Sequence, residues 1–239
     1  MRRILLILPV AFLFTSCYTY QYLTLDAPGM SKNEKKELVW ENDTMKVVYN
    51  FNGEAGPMSL SLFNKTDKPL YINWKKSALI RNANSVSLFN PTVIVSGVAA
   101  TAGYASHSGY SRSLTGFTAS FDLPEGTDFI PPGAYANKAL STVMQWDAVT
   151  LADIEQLPSE KIVTPDGIAM KYKRVVFDQH QSPVYFSVYL TFVLGFNNNI
   201  EFAVQHSFYA KEVLATKESP DIFSLYNTAG DMLYTRAAQ

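Results

Sequence analysis

The sequence predicts a mainly β protein: an antiparallel β-sandwich interrupted by one short helix and preceded by an N-terminal export segment. Three observations lead there. Apolar and polar residues alternate along several stretches, the signature of strands with one buried face. Turn formers such as "NKTDKP" (residues 64–69) and "GFNNN" (195–199) separate those stretches. Finally, 15 Phe and 14 Tyr accompany a single cysteine in 239 residues, so stability must come from burial and not from a disulfide framework.

The chain opens with Arg2 and Arg3, an apolar run over residues 4–14, and the small pair Thr15-Ser16. This is the three-part pattern of an export signal. Its 11 apolar residues fall short of the roughly 20 that a membrane-spanning helix needs. The run stops at Cys17, the only cysteine. The stretch Phe14-Thr15-Ser16-Cys17 resembles the lipobox of bacterial lipoproteins, with Phe14 where leucine is usual and Leu13 one place earlier. The resemblance implies acylation of the Cys17 sulfur, cleavage before it, and acylation of the new amino group. Two or three acyl chains, at about 0.8 kcal/mol per buried methylene, hold a protein on a bilayer. The plain alternative is a soluble export signal that contains a cysteine by chance. The expected organisation is therefore a signal over residues 1–16, a lipidated cysteine and tether over 17–38, and a β-sandwich domain over 39–239 with a low-charge insertion at about 87–121.

Charge narrows the partners. The chain carries 20 basic and 21 acidic side chains, and removing Arg2 and Arg3 leaves 18 against 21, a balance of −3. No long basic cluster stands out, which argues against a nucleic-acid partner.

Along the domain, Tyr18, Tyr20 and Tyr22 alternate with polar residues, as a first strand or as an interfacial aromatic belt. Strand faces are expected at Val47, Tyr49 and Phe51, at Met58, Leu60 and Leu62, and at Leu70, Ile72 and Trp74, with "NKTDKP" as a hairpin turn between the last two. Thr150 to Asp153 forms a capping box before Ile154, Leu157 and the terminating Pro158, which predicts the short helix. Phe186, Val188, Leu190, Phe192 and Leu194 share one face, and a second long hairpin leads to Ile200, Phe202 and Val204. A helical turn near residues 219–226 is a weaker expectation. The unusual stretch is 87–121, rich in Gly, Ala, Ser and Thr, with Arg112 as its only formal charge. It reads as a long hairpin or a loosely ordered insertion, and more sharply as a contact surface for a partner or a lipid.

Residues for chemistry are sparse. His107, His180 and His206 have no catalytic spacing, and Ser106 and Ser108 beside His107 do not form a nucleophile elbow. His107 and His180 read as loop residues, and His206 as a partly buried imidazole near a strand end. Asp122, Glu125 and Asp128 do not match a calcium loop, and zinc would need a Cys/His cluster that the chain lacks. Asp147, Asp153 and Glu155 read as capping and surface charges. No catalytic, cofactor-binding or metal residue is therefore assigned, and no cofactor is expected. "DTM" at Asp43 to Met45 resembles the acceptor sequence for O-glycosylation of exported Bacteroidetes proteins, which would place a sugar on Thr44. Tyr104, Tyr110, Tyr185 and Tyr189 are candidates for an exposed glycan-binding plane.

The segment "FNKTDKPLYINWKKSALIRN" (63–82), with Asn64, Trp74 and Ser77, resembles uncharacterised envelope lipoproteins of Bacteroidetes, although Asn73 stands where an acid is usual. "FIPPGAY" (129–135) and "FAVQHSFYAKEV" (202–213) resemble the same group. The resemblance implies an immunoglobulin-like sandwich on a lipid anchor and carries no catalytic residue. Trp74 reads as a core plug and Ser77 as a local hydrogen-bonding residue. The first acid after Cys17 is Asp26, so the acidic cluster that marks surface display in such envelopes is missing; this favours the periplasmic face of the outer membrane. The expected function is non-enzymatic binding or scaffolding of an envelope protein or glycan. The alternatives are a glycan or peptidoglycan hydrolase with unrecognised carboxylates, or a carbohydrate-binding module.

Overall fold

The structure is a computed structural model that describes residues 18–89, 92–104, 110–122, 126–144, 157–163, 167, 169–195, 200–223 and 229–238, with the backbone alone over 92–104 and 110–122. The described residues form strands, turns and loops, with no helix. In chain order the first strands are β1 (Tyr18–Asp26), β2 (Ser31–Lys32), β3 (Leu38–Glu41), β4 (Met45–Asn50), β5 (Gly53–Glu54) and β6 (Pro57–Asn64). There follow β7 (Leu70–Arg81), β8 (Asn84–Ser87), β9 (Thr92–Tyr104), β10 (Tyr110–Asp122), β11 (Thr127–Ile130) and β12 (Tyr135–Thr142). The last are β13 (Glu160–Val163), β14 (Ala169–Val176), β15 (Tyr185–Leu194), β16 (Ile200–Thr216) and β17 (Met232–Ala238). The helix expected over 150–157 lies outside the described residues. At the second expected helical site, the amides of Ile222 and Phe223 both bond to the Ser219 carbonyl, making a turn.

A ten-stranded sheet runs β11-β7-β15-β16-β1-β17-β5, with β8 beside β7 and the β13–β14 hairpin beside β16. A five-stranded sheet runs β12-β6-β4-β3-β2, and among the described residues β9 pairs only with β10. Pairing is antiparallel except for the short β17–β5 contact. The long strand β16 organises the large sheet. Its first half pairs with β15 from Tyr185↔Tyr209 to Leu194↔Ile200. Its second half pairs with β1 on one side and β14 on the other.

The alternating residues do what their period requires. Val47, Tyr49, Phe51, Met58, Leu60 and Leu62 of the small sheet meet Leu23, Leu25, Leu70, Ile72, Trp74, Phe186, Val188 and Phe192 of the large one in a single buried cluster. Aromatic edges and faces interlock there: the Phe51 and Phe208 rings are 5.2 Å apart and those of Phe186 and Phe208 5.1 Å. A smaller cluster on the other face of the large sheet gathers Tyr22, Met170, Leu214, Phe223 and Met232, with Tyr20 and Tyr234 against it. Tyr20 and Tyr22 thus lie on a strand with one face in this second cluster, and Tyr22 stacks on Phe223 at 4.3 Å.

Two expected connections differ. Residues 26–38 are packed into the body, not strung out as a tether: Ala27 and Leu38 are buried, and Lys32 pairs with the buried carboxylate of Asp231 at 2.5 Å. "NKTDKP" is not a hairpin turn, because β6 and β7 belong to different sheets. Its geometry is fixed by Asn64, whose side-chain amide donates to the carbonyls of Lys68 (2.7 Å) and Ile130 (3.1 Å) and whose oxygen accepts from the Thr66 amide and hydroxyl. Turn chemistry was legible there; the sheet receiving the next strand was not.

Replacing Asn64 with Leu keeps the branched shape but leaves the buried Ile130 carbonyl without this donor and the Thr66 amide without its acceptor. Equilibrium urea unfolding is expected to show a loss of about 2–4 kcal/mol; a loss below about 0.5 kcal/mol, the scale of a neutral surface change, would contradict this role.

Candidate functional site

The end of the molecule next to Cys17 is built by four strands. Cys17 itself lies outside the described residues. At Tyr18 the chain is already in β1, where Tyr18 pairs with Ala238 and Tyr20 with both Arg236 and Thr216. Beside this end a groove of about 570 Å³ is lined by Thr19, Lys171, Lys173, Ala215 and Lys217, among others. β14 supplies two of these lysines from one face, since residues two apart share a side of a strand. Lys161 stands opposite Lys171 in the β13–β14 hairpin. The Thr216 hydroxyl donates to the Lys171 carbonyl at 2.8 Å and locks the end of β16 to β14. This end therefore gathers Lys161, Lys171, Lys173 and Lys217, with Glu218 among them in the groove lining.

A polar contact crosses the core. His206 lies in the middle of β16, not at a strand end, and is only 6% exposed. Its Nδ1 shares a 2.6 Å hydrogen bond with the Tyr49 hydroxyl of the other sheet, and Trp40 packs at 4.8 Å between ring centres. His206 Nε2 has no protein partner. Burial lowers the His206 pKa from 6.5 to about 4, because the imidazolium would carry a charge into an apolar site. Burial likewise raises the Tyr49 hydroxyl well above the usual tyrosine range. Both groups are held neutral, as a structural clamp between sheets.

Of the residues quoted for the lipoprotein resemblance, Trp74 and Ser77 lie at an irregularity of β7, whereas Asn64 closes the connection after β6. From Tyr189↔Ala78 the register jumps to Thr191↔Asn73, so four residues of β7, Trp74 to Ser77, face one of β15. The Ser77 hydroxyl donates to the Asn73 carbonyl at 2.6 Å and accepts from the Thr191 amide at 3.1 Å, while the Thr191 hydroxyl donates to the Lys76 carbonyl at 2.8 Å. The bulge is thus satisfied by side chains where the ladder fails. Trp74 is buried, donates its indole N–H to Asp128 at 2.8 Å, and lies under the Lys138 ammonium, which also pairs with Asp128 at 3.2 Å. Core plug and local hydrogen-bonding residue describe Trp74 and Ser77.

The other expected residues scatter. Thr44 sits half-buried at the β3–β4 turn, its amide donating to Asn42 Oδ1 at 2.9 Å. His180 is exposed in the turn before β15. Tyr185 and Tyr189 are exposed on one face of β15, and Tyr104 and Tyr110 are paired at the far end of the β9–β10 hairpin. His107, Ser106, Ser108, Glu125, Asp147, Asp153 and Glu155 lie outside the described residues. Among the described residues no three metal-ligating side chains converge. Several carboxylates there are tied to cations, among them Asp128 to Lys138, Glu201 to Lys76, Glu212 to Arg174, Glu54 to Arg236 and Asp26 to Lys211. The lysine cluster was not foreseen. "MKYKR" over 170–174 shows its alternation, but Lys217 joins it only through the β14–β16 pairing. Comparison with protein-family models, curated proteins and solved structures found no match.

Because the unfolded chain binds a proton on His206 below pH 6.5 and the folded chain does not until about 4, this residue makes stability fall as pH drops through that window. The expected loss is about 3 kcal/mol, absent above pH 7 and complete below pH 4. A His206→Gln chain, which still accepts the Tyr49 hydroxyl, is expected to lack this component in pH-dependent urea unfolding; identical slopes for the two chains would contradict it.

Proposed function

We propose that this chain is a lipid-anchored cell-envelope protein that binds or scaffolds another envelope component without catalysis. The observation that carries the reading is the placement of Cys17. It is the only cysteine, ends an apolar export-type run, and is followed without a spacer by β1, a strand hydrogen-bonded on both edges. Acyl groups on such a residue would fix the body at the bilayer surface, with Lys161, Lys171 and Lys217 beside the headgroups. The outer membrane, periplasmic face, fits the absence of acids before Asp26.

Two sheets meeting in one core support a β-sandwich, which we read as immunoglobulin-like with the β6–β7 connection crossing between its layers.

Metabolic labelling with palmitate in cells tests the anchor. The wild-type chain is expected to take up label and partition with membranes, and Cys17→Ala to lose the label and appear in the aqueous fraction. Label persisting in Cys17→Ala would overturn the assignment.

A further inference from the structure

The outer face of the small sheet carries a second groove, of about 510 Å³, lined by Asn33, Glu37, Asn50, Ser59, Ser61 and Asn137 among others. The register arranges this face in rows across β12, β6 and β4. The first row is Tyr135, Phe63 and Lys46, the second Asn137, Ser61 and Val48, and the third Ala139, Ser59 and Asn50. Val47, Tyr49, Leu60 and Leu62, the intervening residues of β4 and β6, lie in the core, so period-two alternation turns the rows outward. The segment between β2 and β3 brings Asn33 and Glu37 to the third row, where Asn50 bonds to Glu37.

The polar end of the groove is preorganised. Glu37 accepts the Asn50 side-chain amide on one carboxylate oxygen at 2.9 Å and the Asn33 side-chain amide on the other at 2.8 Å. Asn33 Oδ1 accepts the backbone amides of Lys35 and Glu37, and Asn50 Oδ1 accepts that of Asn52. Backbone packs against this network: a Cβ on Gly230 would lie 2.5 Å from Glu37 Cγ and 3.1 Å from Asn50 Nδ2. Each Glu37 oxygen accepts one of these donors and has capacity for a second. At the other end Tyr135 is 61% exposed, more than any other aromatic residue described. Its ring is steadied by Phe63, 4.4 Å away between centres. The first and third rows are four residues apart on β12, about 13 Å along the strand. Between them stand Asn137 and Ser61.

We propose that this face binds a neutral oligosaccharide, with one pyranose laid on the Tyr135 ring and the hydroxyls of the following sugars bonded to Asn137, Ser61 and Glu37. The chemistry selects this occupant. A pyranose presents an apolar C–H face that packs on an aromatic ring, and a rim of hydroxyls that both donate and accept. A carboxylate already fixed by two amides accepts such hydroxyls through charge-assisted bonds with little ordering cost. The same carboxylate repels a phosphate or an acidic glycan. Lys138, the other charged residue of the lining, is engaged with Asp128 at 3.2 Å, and Lys46 stands opposite Glu41. A peptide adding as a strand needs an open edge, whereas β6 is paired on both edges beneath the groove. This site gives the binding reading above its ligand class and so rests on it, but not on acylation of Cys17. The sugar contact falls on Tyr135 and not on Tyr185 and Tyr189 of β15.

The test titrates the full chain carrying Cys17→Ala with cellotetraose, maltotetraose and tetra-N-acetylchitotetraose by isothermal titration calorimetry. At least one of these is expected to bind with a Kd below about 1 mM, with an affinity insensitive to salt because the ligand is uncharged. Tyr135→Ala and Asn137→Ala are each expected to weaken it about tenfold, and Glu37→Gln by about as much. Tyr135 and Asn137 are exposed, so their urea midpoints stay near wild type and separate a lost contact from a lost fold. A Tyr185→Ala, Tyr189→Ala double variant keeps wild-type affinity. No binding of any of the three sugars, binding that Tyr135→Ala leaves unchanged, or binding lost in the double variant would each overturn the proposal. Palmitate label persisting in Cys17→Ala would instead overturn the anchor and leave these titrations standing.

Discussion

Two-sided pairing of β1 is the constraint on which the rest of the structure depends. From its first described residue the chain is hydrogen-bonded to β17 on one edge and β16 on the other. Leu23 and Leu25 enter the main core on one face, and Tyr22 enters the second cluster on the opposite face. Removing this strand would expose both clusters and leave β16 and β17 with open edges. Because the strand starts directly after Cys17, whatever holds that residue is transmitted to the centre of the large sheet with no intervening slack.

Several polar groups buried by this arrangement are compensated by nearby side chains. Asn64 satisfies the crossover between sheets, Ser77 and Thr191 satisfy the bulge, and Tyr49 reaches His206 across the core. Lys32 bonds to both the Leu25 carbonyl and Asp231, which ties the 27–37 segment to the turn before β17. Asn64 and the Ser77–Thr191 pair sit where the ladder ends or changes partner, and Tyr49–His206 joins the sheets in mid-strand; each is closed by a side chain. The β7 bulge is the most consequential, because the Leu88 amide before the β9–β10 hairpin and the Gly126 carbonyl after it both bond to the bulge, at Ser77 and Trp74.

Much of the strand content was legible because period-two alternation reports burial directly: Tyr49, Leu60, Ile72 and Val188 all lie in the core as their spacing requires. Partner choice was not. "NKTDKP" carries turn chemistry whether the next strand returns to the same sheet or crosses to the other, and only Asn64's two distant acceptors reveal the crossing. Residues 26–38 look like a linker because their charge is high, yet Lys32 and Leu38 are held by groups some 200 residues away or in the core, which composition cannot show. At the candidate site, Cys17 stands out in the sequence by its position after an apolar run and lies outside the described residues. The lysines around the groove were not, since Lys171 and Lys217 converge only through sheet pairing. Trp74 was read correctly as buried, but its partner Asp128 lies on another strand with no sequence signal.

An envelope protein whose first strand is both its attachment point and a core strand would have orientation as well as location set by the anchor. The most direct measurement is the mass of the N-terminal proteolytic peptide from membrane-extracted protein. The account predicts a peptide that begins at Cys17 and carries the added mass of acyl chains on both sulfur and amine. A peptide beginning elsewhere, or beginning at Cys17 with a free thiol and free amine, would contradict it.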